Sequence, residues 1–454
     1  MTGVDAPARL LSVEEALAAV LAASPGPLPA EDVVPEAALG RWLAAPVIAS
    51  TDLPPWDNSA MDGYAIRAAD TATATEDRPV VLRVRGEVRA GDDPAGAGGL
   101  VEPGTAVRIA TGAPLPPGAD AVVPVEETTP LDGSGAPVGP RGREATGPLP
   151  ESCAVHVAVA TGGSVRRRGD DLRAGTAILA AGCRVSPGGV ALAAGAGAAT
   201  VSVHRRPRVG VLATGDELRE PGMALGAAGI PDANGPGLRA LVASAGAIPV
   251  SLGVARDVPD DVVERLQAAI DGRVDGGPVD AIIVSGGVSV GPYDVVRGAF
   301  DRLGRVDLWR VAVQPGKPFA FGTGDRLDGS AVPLFGLPGN PVSTAVTFEL
   351  FVRPTLRRLA GEPSPCRDVD RAVLRDRVST SAPRRAFLRV VADRSPDGAV
   401  VRDETGRVRV RLAGGQGSHV LSALGTADGL AIVPEGIEVA EAGSEVALWW
   451  LDRG

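Results

Sequence analysis

The sequence predicts a multidomain protein of the α/β plus β class, with a central open α/β domain, a small mixed domain and two β regions. Strand patterns alternate with helical patterns between about residues 206 and 358, which indicates βαβ units and a mainly parallel sheet. Before and after this region, short apolar runs are broken by Gly or Pro every ~8–12 residues, as in β domains. The length of 454 residues allows two to four domains of about 100–200 residues each.

The first half of the chain is predicted to be mostly β structure. Residues 12–23 predict a helix, which a capping box formed by Ser12 and Glu15 would open. A second helical pattern lies near residues 36–44. Residues 53–150 predict an all-β region, in which 130–150 has almost no apolar content and predicts a flexible surface insertion. Its clearest strands are predicted at 79–84, 105–109 and 121–125. More short strands and turns are predicted within 151–205.

The central region predicts four strands and four helices in alternation. The strands are predicted at 208–213, 248–253, 280–285 and 332–337, and the helices at 237–245, 260–270, 295–302 and 342–356. After about residue 360 the pattern returns to short strands and turns, which predicts a small C-terminal β domain. Its strands are predicted at 371–374, 387–392, 408–412, 429–434 and 445–451.

The composition excludes several classes of protein. Asp and Glu number 55 against 45 Lys and Arg, and this net charge of −10 argues against nucleic-acid binding over the whole surface, although it leaves room for a local basic pocket. Three Cys cannot form a disulfide scaffold, and no Cys/His cluster suggests zinc. The acidic N-terminal segment is not a secretory signal, and no stretch is long enough to span a membrane. We therefore expect a cytoplasmic protein.

Lysine and asparagine are almost missing from the chain. Lys317 is the only lysine, and Asn58, Asn234 and Asn340 are the only asparagines. Lys and Asn have A/T-rich codons, whereas the abundant Ala, Gly, Pro and Arg have G/C-rich codons, so we hypothesise a high-GC genome in which dispensable Lys and Asn have been lost. Lys317 is then a candidate site residue. Chance survival, or an asparagine that only caps a helix, is the alternative.

Five polar loops follow or flank the central strands. In an open α/β sheet, ligands bind beyond the carboxyl ends of the strands, so the loops near 214–217, 256–257, 285–294, 314–318 and 337–343 are expected to form one site. The segment 285–291 has the composition of an anion cradle, although a tight turn would explain it equally well. Asn340 and Pro341 predict a helix N-terminus, with Ser343 in its first turn.

Three carboxylates lie on these loops, at Glu217, Asp257 and Asp294. Carboxylates at one mouth repel each other unless a cation lies between them, and oxygen ligands without histidine favour Mg²⁺. Lys317 would supply positive charge to an anion. Together they suggest phosphate or another oxyanion as substrate, and the alternative for each acid alone is a solvated loop residue.

Two further segments have unusual composition. Residues 54–64 mix aromatic, amide and acidic groups, and residues 166–171 form the most basic cluster of the first half. The basic cluster is equally well explained as a surface charge run or as a substrate contact. His156, His204 and His419 are far apart in sequence, and no Ser-His-Asp or Cys-His pattern is apparent.

Nine ordered segments give the chain a strong resemblance to one family. They are DNSAMDGYA, RIATGAPLPPGADAVVPVE, RRRGDD, ATGDEL, DANG, SGGVSVGPYD, PGKPFAFG, GLPGNPVS and GGQGSHVLSAL, beginning at residues 57, 108, 166, 213, 232, 285, 315, 336 and 414. The chain resembles the molybdopterin molybdenumtransferase family of the MoeA type, which includes the E domain of gephyrin. The resemblance extends over nearly the whole chain.

The resemblance implies a fold and an activity. Members insert molybdate into adenylylated molybdopterin and release AMP and the molybdenum cofactor, with Mg²⁺ required. Each chain would have four domains in an elongated homodimer, and the active site would be shared between subunits. The domains would be a linker domain at 25–52 with 172–205, a lid-like β domain at 53–171, an α/β molybdopterin-binding domain at 8–24 with 206–358, and a C-terminal β domain at 359–454. A molybdopterin adenylyltransferase and recipient molybdoenzymes are candidate partners, whereas nucleic acid and membrane are not expected.

The resemblance also assigns roles to residues of this chain. The expected catalytic residues are Asp62, Glu217, Asp257, Asp294 and Lys317, of which Asp294, Asp257 and Glu217 would hold the metal. Molybdate would be bound by Lys317, Ser343, Arg389 and Ser418. The expected substrate contacts are Thr111, Asp171, Asn234, Gly286, Gly287, Ser289, Gly316, Pro338, Gly339 and Asn340.

The chain departs from the family pattern at two positions. Many relatives have Lys where this chain has Arg310 and Gln314, so Lys317 would carry a larger share of the positive charge around an anion. Two alternatives remain open. The shared α/β fold could support adenylylation of molybdopterin, which ATP consumption would reveal. A non-enzymatic scaffold, such as a specialised paralogue, would not need Lys317, Asp62 and the acids.

Overall fold

The computed structural model describes residues 10–142, 147–287 and 295–451. Within them the chain forms three six-stranded sheets and several two-stranded pairs. The three large sheets belong to the first half of the chain, to the central region and to the C-terminal region. This arrangement is the multidomain α/β plus β architecture that the sequence predicts.

The central sheet is parallel over four strands and antiparallel over two. Its spatial order is Ile248–Ala255, Arg208–Thr214, Ala281–Ser285, Ala331–Leu337, Pro318–Asp325 and Gly304–Arg310. The last two pairings are antiparallel, because Pro318–Asp325 runs against both of its neighbours. Helices cover both faces, so strands such as Ala281–Ser285 are buried along their whole length. The covering helices are Val13–Ala23, Asn234–Ser244, Pro259–Ile270, Val295–Leu303, Pro341–Thr347 and Arg353–Leu359, the last two joined by the π-helical turn Phe348–Val352.

The two antiparallel strands are absent from the sequence prediction. The helix Val295–Leu303 passes directly into Gly304–Arg310, so no turn residues mark the change. Gly304 allows the close approach of the next strand, because a Cβ there would lie 2.0 Å from the Thr323 carbonyl oxygen. The sheet is therefore mixed, with a parallel majority.

The region between the lid and the central domain combines two separate parts of the chain. Ala30–Val33 pairs with Val201–His204, and Val47–Ile48 pairs with Ala177–Leu179. The predicted helix at 36–44 is wrong: a 3-10 turn, Pro35–Ala38, is followed by Gly40 at a φ of +74°. The chain then runs extended, with backbone hydrogen bonds to 183 and 185. Residues 151–205 also contain a helix, Pro187–Gly195, where only strands and turns were predicted.

The lid sheet confirms the predicted β region. Its order is Ala121–Pro124, Gly63–Ile66, Thr105–Ile109, Val80–Val88, Ser152–Val155 and Thr128–Leu131. The insertion is exposed but hydrogen-bonded over 130–142. There the Asp132 carboxylate accepts from the N–H groups of Ser134 and Ala136 at 2.9 and 3.0 Å, and Arg141 forms ion pairs with Glu76 and Glu127. Residues 143–146 lie outside the described residues.

The C-terminal sheet closes into a small barrel. Its strands follow the order Arg385–Ala392, Val408–Leu412, Asp370–Leu374, Glu445–Trp450 and Gly429–Val433, and the last pairs back with the first. All five were predicted. Val313–Gln314 from the central region adds to the barrel in parallel, and the Gln314 Oε1 accepts from the Ser381 N–H at 2.8 Å. The central region and the barrel are therefore joined through a shared strand pairing.

The remaining elements are short. They are the strands Asn58–Ser59, Val165–Arg166, Leu218–Arg219, Ile230–Pro231, Val378–Ser379 and Val439–Ala440, the helices Pro94–Ala97 and Leu421–Thr426, and the 3-10 turns Ala68–Thr71 and Val125–Glu127. Across the described ranges, no helix has the length and apolar character needed to cross a membrane.

Candidate active site

A cleft of about 720 Å³ lies at the carboxyl edge of the four parallel strands. The loops after Thr214, Ala255, Ser285 and Leu337 line it, together with Pro318. Pro318 begins an antiparallel strand, and the start of such a strand meets the same edge as the ends of its parallel neighbours. The structure thus brings together the described parts of all five loops that the sequence singled out. Of the predicted site residues, those lining the cleft are Glu217, Asn234, Asp257, Gly286, Gly287, Pro338, Gly339, Asn340 and Ser343.

Asn234 connects two of these loops. Its Nδ2 donates to the Ser285 Oγ and to the Gly339 carbonyl oxygen, both at 2.7 Å. The helix that begins at Asn234 is capped by the buried Asp232, whose Oδ1 accepts from the Gly235 N–H at 2.9 Å. Asn234 is therefore fixed at its base and joins the end of one strand to the loop of another. One of the three asparagines of the chain thus has a structural role, which is to hold two strand-end loops together.

The glycines of the predicted anion cradle have no room for a side chain. Gly286 has a φ of +99° and Gly287 a φ of +62°. A Cβ on Gly286 would lie 2.6 Å from the Thr214 carbonyl oxygen. The Gly286 N–H donates to the Leu337 carbonyl oxygen at 3.1 Å, so it is committed to the fold. The cradle interpretation therefore depends on Gly287 and on 288–291, and that segment, with Ser289, lies outside the described residues.

Two acidic residues of the strand-end loops, Glu217 and Asp257, line the cleft, and Asp216 lies directly beside Asp257. The Asp216 N–H donates to the Asp257 carboxylate at 3.4 Å, and the Asp257 N–H donates to the Asp216 carboxylate at 3.3 Å. Burial raises the pKa of Asp257, and the negative charges of Asp216 and Glu217 raise that pKa further. Asp294 lies outside the described residues. Among the residues described, no three acidic, His or Cys side chains are already placed to hold a metal ion.

The C-terminal barrel reaches the cleft through the loop 414–419. The Asn340 Nδ2 donates to the Ser418 Oγ at 3.1 Å, so the predicted cap residue does not cap its helix with its side chain but contacts the barrel. His419 also lines the cleft. This contact makes the cleft a site built by two regions of the chain.

Arg389 holds this loop from behind. Its side chain is buried and donates to the carbonyl oxygens of Gly415 and Gly417 at 3.2 and 3.1 Å. Burial lowers the pKa of Arg389 to about 10. The Gln416 side-chain amide pairs with the backbone of Arg389, accepting from its N–H at 2.9 Å and donating to its carbonyl at 3.1 Å. Arg389 thus contacts the loop that carries Ser418 and does not line the cleft.

Ser343 lines the cleft, whereas Lys317 stands next to the lining residue Pro318 without lining the cleft itself. Ser343 is buried in the first turn of Pro341–Thr347. Lys317 is exposed and precedes the lining residue Pro318. Gly316 has a φ of +114°, and a Cβ there would lie 2.7 Å from the Thr347 Cγ2, so the lysine loop packs directly on that helix.

The lid residues form a separate group. The Asp62 Oδ1 accepts from the Thr111 N–H at 2.7 Å, so these two predicted residues are neighbours. Arg167 forms an ion pair with Asp57 at 2.7 Å, which explains part of the basic cluster as structural. Asp171 is exposed. Among the described residues, no residue of 53–171 lines the cleft of the same chain.

Four polar residues of the site were not predicted. Asp216 stands beside Glu217, Asp232 caps the helix of Asn234, and Gln416 and His419 lie in the loop of Ser418. All four lie within motifs that the sequence analysis quoted, in ATGDEL, DANG and GGQGSH. Each motif indicated that a site segment was present, but the spacing of its residues could not show which side chains belong to the site.

Comparison with known proteins agrees with this architecture. Residues 11–197 match the MoeA N-terminal region (domain I and II), 210–358 match a probable molybdopterin binding domain, and 371–451 match the MoeA C-terminal region (domain IV). Molybdopterin molybdenumtransferase 2 of Mycobacterium tuberculosis is 39% identical over 421 residues, which are 91% of this chain and 93% of that protein. The molybdopterin molybdenumtransferase of Haemophilus influenzae is 32% identical over 419 residues, 91% and 92% of the two chains.

Solved structures agree with the sequence relatives. Two crystal structures of a molybdopterin biosynthesis MoeA protein from Pyrococcus horikoshii superpose with TM-scores of 0.73 and 0.70, at 30% and 28% identity, covering 97% and 98% of this chain and 99% and 100% of those chains. The predicted resemblance and the predicted multidomain fold are thereby confirmed. The chain belongs to the MoeA family of molybdenum cofactor biosynthesis proteins.

Proposed function

We propose that this protein is a molybdopterin molybdenumtransferase, which inserts molybdate into adenylylated molybdopterin and releases AMP. The observation that carries the proposal is the composite cleft, in which strand-end loops of the region matching a molybdopterin binding domain meet the Ser418 loop of the barrel. A single α/β domain would supply only the first of these walls. The curated relatives that cover more than nine-tenths of the chain are named for this activity.

The pterin substrate would be held by the strand-end loops. The expected contacts there are Asn234, Gly286, Gly287, Ser289, Gly316, Pro338, Gly339 and Asn340. The cleft volume of about 720 Å³ is in the range of pockets that bury a cofactor-sized ligand. Because Asn234 already ties two of these loops together, the substrate would meet a largely preformed surface.

Molybdate would bind between the lysine loop and the barrel loop. Lys317 supplies the positive charge, and the hydroxyls of Ser343 and Ser418 supply donors for an oxyanion. Arg389 would act as a positioning residue for Ser418, since its guanidinium is buried against the loop carbonyls. This role differs from the direct molybdate contact expected from the resemblance.

The donors at the acidic end of the cleft suit Mg²⁺. Mg²⁺ is commonly held by one or two carboxylates, with water and substrate phosphate completing its shell, so Glu217 and Asp257 can contribute without a third acid already in place. Asp294 would join them from the segment outside the described residues. Burial, and in smaller part the negative charges of Asp216 and Glu217, raise the pKa of Asp257, and a cation beside it would favour the charged carboxylate. When bound, the ion supplies charge neutralisation to the phosphoanhydride.

The residues of the chain would then act mainly by binding and orientation. Attack of a molybdate oxygen or of water on the phosphoanhydride phosphorus breaks the bond to AMP. Lys317 and the serine hydroxyls hold the incoming oxyanion, and the strand-end loops hold the pterin. Fixed donors in a cleft stabilise charge in the transition state without reorganisation.

A homodimer would complete the site. Asp62 and Thr111 are expected site residues, yet they lie on the lid sheet and do not line the cleft of their own chain. In a symmetric dimer the lid of one subunit can approach the cleft of the other. The cytoplasmic location, the molybdopterin adenylyltransferase partner and the recipient molybdoenzymes remain predictions.

The direct test is AMP release from adenylylated molybdopterin by the purified protein. Reactions would contain Mg²⁺, with and without molybdate, and would compare the wild type with Lys317→Ala. The control is Arg377→Ala, which removes an exposed cation of the barrel that pairs with Glu441 at 3.1 Å. We expect molybdate-dependent release that Lys317→Ala loses and the control retains. ATP consumption would instead indicate the adenylyltransferase, and a folded protein without turnover would indicate a scaffold.

A further inference from the structure

A second cavity, of about 530 Å³, lies at the amino edge of the central sheet, opposite to the edge that carries the cleft. It is lined by residues that directly precede the strands Arg208–Thr214 and Ile248–Ala255, by 39–42 of the linker region and by the end of the helix Arg353–Leu359. None of the residues assigned above to the transferase reaction lines it. Its chemistry is therefore independent of the proposed function.

The lining is strongly basic. The lining holds five arginines and one histidine but only one carboxylate, that of Glu362. The basic residues are Arg41, Arg184, Arg206, Arg353, Arg357 and His204. The whole chain has a net charge of −10, so a cluster of five arginines around one cavity runs against the composition. Such a concentration of positive charge in a concave surface attracts anions.

Three of the five arginines have carboxylate partners. Arg41 pairs with Glu31, Arg353 with Glu349, and Arg357 with Glu362. Arg353 also donates to the Ser244 Oγ at 2.8 Å, which covers the negative end of the helix Asn234–Ser244. These three charges are accounted for by the fold.

Arg184 and Arg206 form no salt bridge of this kind, although the charge of Arg184 acts on the Glu362 carboxylate that pairs with Arg357. Arg184 donates to the Gly40 carbonyl oxygen at 3.2 Å, and among the described residues neither arginine has a carboxylate within ion-pair distance. The two positive charges that Arg184 and Arg206 bring to the cavity wall match in magnitude the charge of a phosphate dianion. Arg41 adds a donor at the base, because its side chain is 9% exposed and its buried Nε has no hydrogen-bond partner in the described part of the chain.

An aromatic ring borders the same cavity. Trp42 lines it and pairs across the backbone with Arg184. An indole beside arginines is a surface on which a nucleobase stacks. The combination of ring, guanidinium groups and volume fits a nucleotide better than a bare oxyanion.

We propose that this cavity binds a nucleoside monophosphate, with the phosphate on Arg184 and Arg206 and the base on Trp42. Inorganic phosphate shares the first part of this chemistry and lacks the second. The two ligands therefore report separately on the two halves of the site.

The test is calorimetric titration of the full-length protein with AMP and, separately, with inorganic phosphate. Because AMP can also enter the cleft, the number of sites per chain is the first readout, and we expect two for AMP. The double variant Arg184→Gln/Arg206→Gln should lose one site or weaken it at least ~10-fold, since each charge-assisted contact is strong. The control Arg375→Gln/Arg377→Gln removes two exposed arginines of the barrel and should retain both sites.

The stacking contact has its own readout. Trp42→Leu should weaken AMP at this site while leaving the affinity for phosphate within about twofold. An AMP titration that Arg184→Gln/Arg206→Gln leaves unchanged, or equal loss in the two arginine double variants, would overturn the proposal. Phosphate and AMP binding with the same affinity would reject the nucleotide and leave only a phosphate site. Loss of transferase activity in Lys317→Ala would not affect any of these outcomes.

Discussion

Replacing Asn234 with Ala should loosen the pterin side of the cleft without unfolding the protein. The side chain makes two hydrogen bonds of 2.7 Å, to Ser285 and to Gly339, and each is worth about 1 kcal/mol net. Their loss gives roughly 2 kcal/mol, or up to about 30-fold in the equilibrium between ordered and displaced loops. Water in the cleft will satisfy part of this loss, so we expect KM for adenylylated molybdopterin to rise about tenfold.

Two further variants separate the hydrogen bonds from the shape of the side chain. Asn234→Asp keeps the volume but places an oxygen against the Gly339 carbonyl oxygen, so it should be worse than Asn234→Ala. Gln267→Ala removes an amide of the same chemistry, which donates to Asp271 at 2.9 Å on an exposed helix, and should leave KM unchanged. Steady-state AMP release measures all three. If both Asn234 variants change KM less than twofold, the amide does not organise the cleft.

Three other perturbations test separate parts of the site. Because the pKa of Asp257 is raised, the Mg²⁺ concentration for half-maximal rate should increase as pH falls through that pKa. Asp257→Asn should raise this Mg²⁺ concentration and remove its pH dependence, and an unchanged Mg²⁺ titration would exclude a metal role. Glu349→Gln removes the carboxylate that Arg353 and Arg367 share, each at 2.7 Å, so calorimetry should show a loss of about 3–5 kcal/mol. The loss should be smaller in Glu349→Leu/Arg353→Met/Arg367→Met, and equal losses would contradict this. Mixed dimers of Asp62→Asn and Lys317→Ala subunits should recover about half of wild-type activity if the site is shared, whereas recovery of none would place both residues in one chain's site.

The elements with local signals were predictable, and those decided by distant contacts were not. The helix Val13–Ala23 has both halves of its capping box, Ser12 and Glu15, and its bounds were predicted within one residue. The pattern at 36–44 has the same apolar spacing, but Gly40 and backbone pairing with 183 and 185 hold it extended. Tertiary contacts outweighed helical propensity there, and no local signal announced them.

The candidate site was predictable to the level of the loop. Parallel strand ends converge because of sheet geometry, so Glu217, Asp257 and Asn340 could be placed at one edge from sequence alone. The direction of each side chain could not. Asn340 occupies the cap position that its neighbours predict, yet its amide contacts Ser418, 78 residues away in sequence. That contact depends on how the barrel docks, which spacing within a motif does not encode.

The docking of the barrel explains why a family motif near the C-terminus belongs to a cleft in the central region. Val313–Gln314 leaves the central region and pairs with the barrel strand Arg385–Ala392, which fixes the barrel beside the loop of Lys317. On that same barrel strand, the side-chain amide of Gln416 forms two hydrogen bonds with the backbone N–H and carbonyl of Arg389, as a neighbouring strand would. The loop that follows is thereby held with Ser418 against Asn340. The segments that carry Lys317 and Ser418 are thus both tied to one barrel strand, the first by backbone pairing and the second through the Gln416 side chain. A change in barrel packing should therefore weaken molybdate binding more than it disturbs the pterin loops, because Asn234 holds those loops independently of the barrel.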